Sequence, residues 1–519
     1  RLKDRYGRID LLTDSAVEKS ALAAPEEFIG LEHKTKKVSD YPDFPVGDVD
    51  CWPEPMPLMF GALRECAYHH VPVISELFGM SIFETMLRSV GRTPRGRGPN
   101  TITAVGALSG GGKDDNSLEA AQRLAAMLVG FVNSSSDYTL QHEGIQSMLH
   151  CLSPANCSFT SATTLLMTVM DNYKYDGGDD IGCLVMSTEA KSFYKMISSN
   201  KASNVHGSDE IIAVEVDFFN GMQISQRRVG KSSLPTIYNP NVSLFRTLQL
   251  EPFQSAFTED MVESGYLPRH TFGVDSEDRG YIRSALMSTR NPVVSDELLD
   301  FIAFAGHWLY EHRNHKVHVR CNEVGSAIDN FDNKYIEKKS KGFTDNEMSL
   351  IKRVPMIAEK WTTTVTLFHY LWMIYKERDA SHLILGEFNG KVTQLDGTTI
   401  EDCLISWMKY QYDIRLFMYQ NYITVGDTSR TKEAILEVYQ NLLKSKAKDP
   451  NIEPWAKQGA VPVTQFNYRL GRKAGFKENA PQLQTMYLNQ FYQDYSLTRV
   501  MVKGLDTHRK QSCIVPKKG

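Results

Sequence analysis

Between Thr101 and Asn133 the chain changes hydrophobic period across a run of three consecutive glycines. Thr101–Leu108 is β-branched and apolar, as a buried strand is. Asp115–Asn133 places apolar residues at i, i+3 and i+4, with an acid and an amide near its start, as a helix does. Between them runs Ala107-Leu108-Ser109-Gly110-Gly111-Gly112-Lys113-Asp114. A strand that passes straight into a helix through glycines turns successive backbone N–H groups inward as an anion-binding nest. The helix N-terminus adds favourable potential for negative charge. The plainer alternative is a Gly-rich hairpin turn with an exposed lysine, and the strand before and helix after weigh against it.

Strand, Gly-rich turn, lysine and helix make up a P-loop. Ser109, Gly110, Gly111, Gly112, Lys113 and Asp114 are then the expected ATP-phosphate contacts, with Lys113 supplying a point charge to the β- and γ-phosphates. The run departs from the usual pattern twice. Ala107 stands at the first glycine position, with Gly106 one residue early. Asp114 replaces the hydroxyl residue that normally holds Mg²⁺; as a hard oxygen donor, Asp114 is the expected metal ligand.

Further elements supply the rest of such a site. Ile181–Met186 is a short apolar strand leading into Ser187-Thr188-Glu189. Glu189 is the expected catalytic acid that orients the attacking water, and Thr188 sits where an Asp is usual. Val242–Leu250 is another strand, whose polar end offers Gln249 or Thr247 as a γ-phosphate sensor. Arg269, after Glu263-Ser264-Gly265-Tyr266-Leu267-Pro268, is the candidate arginine finger for a neighbouring subunit, with Arg279 and Arg283 as competitors. The plainer readings are an exposed helix start for Glu189, an ordinary strand end for Gln249 and a surface ion pair for Arg269. With Glu210–Phe218 as a further expected strand and helices at His142–Cys151 and Ser161–Asp171, strands and helices alternate. That predicts an α/β core with a parallel sheet.

The order of these features resembles the helicase portion of phage and plasmid P-loop replication proteins, an uncharacterised family akin to primase–helicases. The resemblance covers about residues 41 to 400. It rests on the Pro-rich lead-in and its helix, on Ser109–Asp114, and on Ser187-Thr188-Glu189. It continues through Phe218-Phe219-Asn220-Gly221, Asn239–Phe245 and Glu263–Arg269. It implies a RecA-like core, ring hexamers with ATP and Mg²⁺ between subunits, and single-stranded DNA as partner. Primase or other replication proteins are further partners that it suggests. The implied role is strand separation in phage or mobile-element replication, in the host cytoplasm if phage-encoded. The rival readings are another P-loop ATPase, for packaging or regulation, and a DNA-binding protein with a degenerate site.

At 519 residues the chain is too long for one core. Residues 1–40 read as a linker or arm, 41–98 as an N-terminal helical region, 99–290 as the ATPase core, 291–455 as a helical region without strands, and 456–519 as a winged-helix-like domain. A helical stretch is expected over about Leu58–Ser89, and Gly91–Pro99 as a basic, flexible breaker. Arg1 in place of an initiating Met is expected of a fragment or a trimmed chain. Arg1–Asp40 is charged and polar, unlike a signal peptide, and no apolar run reaches the roughly 20 residues that a membrane span needs. The eight cysteines form no C-x-x-C pair, as expected of reduced structural thiols.

A net charge of −4 excludes a uniformly basic coat but leaves room for local basic stripes. Arg227, Arg228 and Lys231 are the expected nucleic-acid contacts in a ring channel, against the plain reading of a solvated turn. Arg92, Arg95 and Arg97 are alternatives that face DNA or a neighbour. Arg469, Arg472, Lys473, Lys477, Arg499, Lys503, Arg509 and Lys510, interleaved with Tyr468, Phe476 and Tyr487, make the C-terminal region a DNA- or protein-binding module with equal weight. His307, His312, His315 and His318 spread around a predicted helix and past its end, as on a polar surface rather than a metal site.

Overall fold

The computed structural model divides the chain into Arg1–Asp43 and Phe44–Gly519. It describes residues 51–68, 70–88, 90–108, 112–156, 162–176, 182–188, 190–198, 205–221, 223–224, 237, 240–250, 253, 256–275, 292–320, 322–339, 343–386, 392–419, 423–443, 451–472, 488–489, 491–492, 495–505 and 507–516. The expected N-terminal arm lies outside them. In chain order the first elements are α1 (Met56–Cys66), α2 (Pro72–Met86), β1 (Gly91–Arg92), β2 (Ile102–Ala107), α3 (Ala120–Ser134), α4 (Glu143–Cys151) and β3 (Ala155–Asn156). There follow α5 (Ala162–Asp176), β4 (Gly182–Ser187), α6 (Lys191–Ser198), α7 (Val205–Asn220), β5 (Asn241–Gln249), α8 (Glu259–Glu263) and β6 (His270–Asp275).

Five of these strands form one sheet in the order β3-β4-β5-β2-β6, and every neighbouring pair is parallel. Strands β2, β4 and β6 are buried at every position, and β5 at all but Gln249. Both faces are therefore covered, which is why these segments read as continuous apolar runs rather than alternating ones. Helix α2 lies on one face, where Phe78 meets Phe245 edge-on at 4.9 Å between ring centres. Helix α7 lies on the other, where buried Glu215 pairs with Arg246 of β5. The expected strand over Glu210–Phe218 is thus a helix. Ile211, Val214, Glu215, Phe218 and Phe219 are its buried positions, a spacing of 3, 4, 7 and 8 that belongs to a helix face.

The second half continues with α9 (Asp296–Glu311), β7 (Lys316–Arg320), α10 (Asn322–Lys339), α11 (Asp345–Ile351), α12 (Val354–Tyr375), β8 (Val392–Asp396), α13 (Glu401–Met418) and α14 (Thr424–Leu443). It ends with α15 (Glu453–Ala456), β9 (Val461–Pro462), α16 (Val463–Leu470), β10 (Leu497–Lys503) and β11 (Lys510–Pro516). The region after residue 291 is therefore not strand-free. Strands β1, β7 and β8 form a second parallel sheet. This corrects two expectations, because Gly91–Arg92 is a strand paired with Val317–His318 and not a flexible breaker. The helical stretch expected over about Leu58–Ser89 consists of two helices, α1 and α2.

The open edge of β6 is sealed by α13. Gln411 accepts a hydrogen bond from Phe272 N at 3.1 Å and donates one to Phe272 O at 2.9 Å, as a neighbouring strand would. Buried Arg415 on the same helix donates to the carbonyls of Pro268, Leu350 and His270. In the C-terminal region α14 and α16 pack with a three-stranded antiparallel sheet, β10-β11-β9. No described helix is long and apolar enough to cross a membrane.

Candidate functional site

The C-terminal edge of the central sheet gathers most of the described candidates. Ala107, the last residue of β2, pairs with Gln249 on one side and Asp275 on the other. Strand β4 ends lower, since Ser187 pairs with Arg246. The chain beyond half-buried Thr188 rises along β5, with Ala190 N donating to Thr247 O at 3.0 Å. Two strand spacings, roughly 10 Å, separate β2 from β4. Ser109, Gly110, Gly111 and Glu189 lie outside the described residues.

The far side of the glycine run is anchored by its neighbours. Gly112 has φ +70°, a left-handed conformation that favours glycine. Its carbonyl accepts from both the backbone N and the side-chain Nδ2 of Asn116, each at 2.9 Å. Asn116 Oδ1 in turn accepts from Val71 N at 2.9 Å. Lys113 is 8% exposed, and its carbonyl accepts from Ser117 Oγ at 2.6 Å. Asp115 accepts from Tyr68 N at 2.6 Å and pairs with Arg123 at 2.8 Å. These bonds fix the start of the helix against the junction of α1 and α2. The helix opens with a π turn over Asp115–Glu119, a wider turn that is frequent at functional sites. Asp114, directly before it, is half-buried.

Gly106 plays no part in a phosphate nest. It is a strand residue, and a Cβ there would lie 2.7 Å from the Phe253 ring. Its missing side chain leaves room for the cluster of Phe253, Phe257 and Phe272. Asp275 is the functional candidate that sequence reasoning missed. The sequence signal was weak, a short stretch His270-Thr271-Phe272-Gly273-Val274 closed by an acid, and its place beside the loop strand depends on pairing that the sequence does not display.

Arg269 lies at the opposite edge. It precedes His270, which pairs with Ile102 at the beginning of β2. Six residues at about 3.3 Å each put it roughly 20 Å from the strand ends of its own chain. Its guanidinium donates to Gly265 O, and burial, with Arg353 and Arg97 nearby, lowers its pKa. Arg92 is buried in β1 and donates to Gly91 O at 2.9 Å. Arg95 pairs with Glu359 at 3.0 Å, and Arg97 reaches Asn220 Oδ1 at 3.5 Å. These three arginines are therefore engaged within the chain. Arg227, Arg228, Lys231, Arg279 and Arg283 lie outside the described residues.

The histidines disperse. His307 stacks on His142 at 3.5 Å, His312 stacks on Trp308 at 3.9 Å, and His315 bonds Thr393 Oγ1 at 3.1 Å. Among the described residues no group of three or more His, Cys, Asp or Glu side chains is arranged to hold a metal ion. A shallow cleft of about 370 Å³ lies between α1 and the start of α9, and its lining contains none of the strand-end residues. No protein-family model matches the chain, and no curated protein matches it significantly.

Proposed function

We propose that this chain is a P-loop ATPase that drives strand separation of DNA, in the manner of phage and mobile-element replication motors. One observation carries the reading. Strand β2, which the glycine run follows in the sequence, lies between two strands whose last residues, Gln249 and Asp275, stand level with Ala107, and the helix after the run is entered through left-handed Gly112 and buried Lys113. In open parallel sheets ligands bind at the C-terminal strand ends. Lys113 and the loop amides hold the phosphates there. Gln249 reports on the γ-phosphate, and Glu189 orients the attacking water.

The oxygen donors available suit Mg²⁺: Asp114 at the helix start would hold it, with Asp275 as a second carboxylate at the same edge. The chemistry an ion would supply there is neutralisation of charge developing on the transferred phosphoryl. Arg269 is too far from its own strand ends to serve them, so in this reading it acts on a neighbour's nucleotide within a ring. The C-terminal helices and antiparallel sheet are read as a winged-helix module.

Phosphate release from ATP, measured with and without single-stranded DNA, tests the proposal. Hydrolysis stimulated by the strand and reduced at least about 100-fold in Lys113→Ala is expected. A chain without ATPase activity, or with activity that survives Lys113→Ala, overturns it.

A further inference from the structure

The hairpin β10–β11 has a face of which the core covers only the proximal end. Its register places Lys503 opposite Lys510, Met501 opposite Ser512, Arg499 opposite Ile514 and Leu497 opposite Pro516. Directly opposed residues share a face. At the proximal end of that face Leu497 and Ile514 are buried with Phe466 and Leu470 of α16. Toward the turn the same face is exposed, and Met501 is 65% accessible. The other face is occupied, since Val502 and Val515 pack against Trp455 and Cys513.

The exposed half carries three cations and no acid. Like charges directly opposed across a hairpin destabilise it, so Lys503 against Lys510 is a cost to the isolated fold. The surrounding sequence has the same sign. Residues 451–519 hold eleven Lys and Arg against four Asp and Glu, a net +7 in a chain whose total is −4. On α16 next to this face, exposed Tyr468 lies under the Arg472 guanidinium at 4.1 Å.

We propose that the distal β10–β11 hairpin docks on duplex DNA, with Arg499, Lys503 and Lys510 contacting phosphates. Charge complementarity calls for a polyanion. A two-stranded ribbon has the width that a major groove admits. The strand residues of the exposed half-face include a methionine and no aromatic, and the rings beside them are capped by cations, Tyr492 by Arg499 at 4.9 Å and Tyr468 by Arg472 at 4.1 Å, whereas single-strand sites offer open rings on which bases stack. The contact is independent of nucleotide and of the strand-end site.

The test uses the full chain without nucleotide, a random-sequence duplex labelled for fluorescence anisotropy, and a salt titration. The triple variant Arg499→Gln, Lys503→Gln, Lys510→Gln is expected to bind roughly tenfold or more weakly. Its slope of log affinity against log salt should fall by about 2 to 3, because each phosphate contact contributes about 0.9. Its melting temperature should hold or rise, since an opposed like-charge pair has been removed. Lys503→Arg with Lys510→Arg keeps the charge and should bind like the unaltered chain. Lys113→Ala should bind the duplex normally, which separates this contact from ATP hydrolysis. Four outcomes overturn the proposal: unchanged duplex affinity and salt slope in the triple variant, loss of single-strand but not duplex binding, poly-glutamate displacing the duplex at equal charge, or failure of the arginine variant to bind.

Discussion

Gln411 shows how one side chain completes a sheet. Its amide gives and takes the two hydrogen bonds that Phe272 would otherwise leave unmade on an edge strand. Gln411→Leu keeps the volume and removes both bonds. We expect a loss of about 1–3 kcal/mol for each backbone group left unsatisfied, read from urea unfolding. Glu84 gives a pH-dependent test. Its Oε2 accepts from Thr101 N at 3.1 Å, Thr101 Oγ1 at 2.7 Å and Ser243 Oγ at 2.9 Å. Burial nevertheless pushes its carboxyl up to about 7 from an ordinary 4.5. The native state therefore holds this proton more tightly than the unfolded chain. The associated stability is complete below pH 4.5 and lost as pH rises through 7. The stability of Glu84→Gln relative to the unaltered chain should rise across that window, and a difference independent of pH would refute the assignment. Neither role was legible in the sequence, because each depends on a partner at least 17 positions away.

At the scale of elements, legibility followed burial. Strands β2, β4 and β5 were readable because a strand covered on both faces is apolar throughout. Strands β7 and β8 were not. Each is five residues long, alternates buried and exposed positions and is interleaved with long helices. Strand β6 was hidden by its glycine and by Pro268 two residues before it. The loop helix was legible from its period, but its tie to Val71 through Asn116 was not. Within the core, α7 is held to β5 by Arg246, Glu215 and Tyr266, all buried. Glu215→Leu strands the Arg246 cation and should cost about 3–5 kcal/mol in a denaturant titration. Asp275→Asn tests the strand register at the site. It should raise the Mg²⁺ concentration needed for ATP hydrolysis while leaving the unfolding midpoint nearly unchanged.

At the scale of the molecule, the role proposed for Arg269 would tie activity to assembly. Mixing Lys113→Ala chains, which have a defective phosphate loop and an intact Arg269, with Arg269→Ala chains should restore part of the ATPase activity that each lacks alone. An arginine supplied across an interface is worth about 10³-fold or more, so the recovery is measurable even when few mixed interfaces form. Mixtures no more active than their components would remove Arg269 from the reaction.

The sealing of β6 has a consequence for how copies of this chain can meet. A parallel sheet with a free edge invites another chain to add a strand, by a route that does not distinguish partners. Here one edge strand has its outward backbone groups bonded by a glutamine from α13, and the other, β3, is two residues long. Growth by backbone pairing is blocked at the first edge and has little template at the second. An ordered multimer that meets at this sheet has to be specified by side chains on helices and loops, where a single substitution can change the partner without touching the sheet.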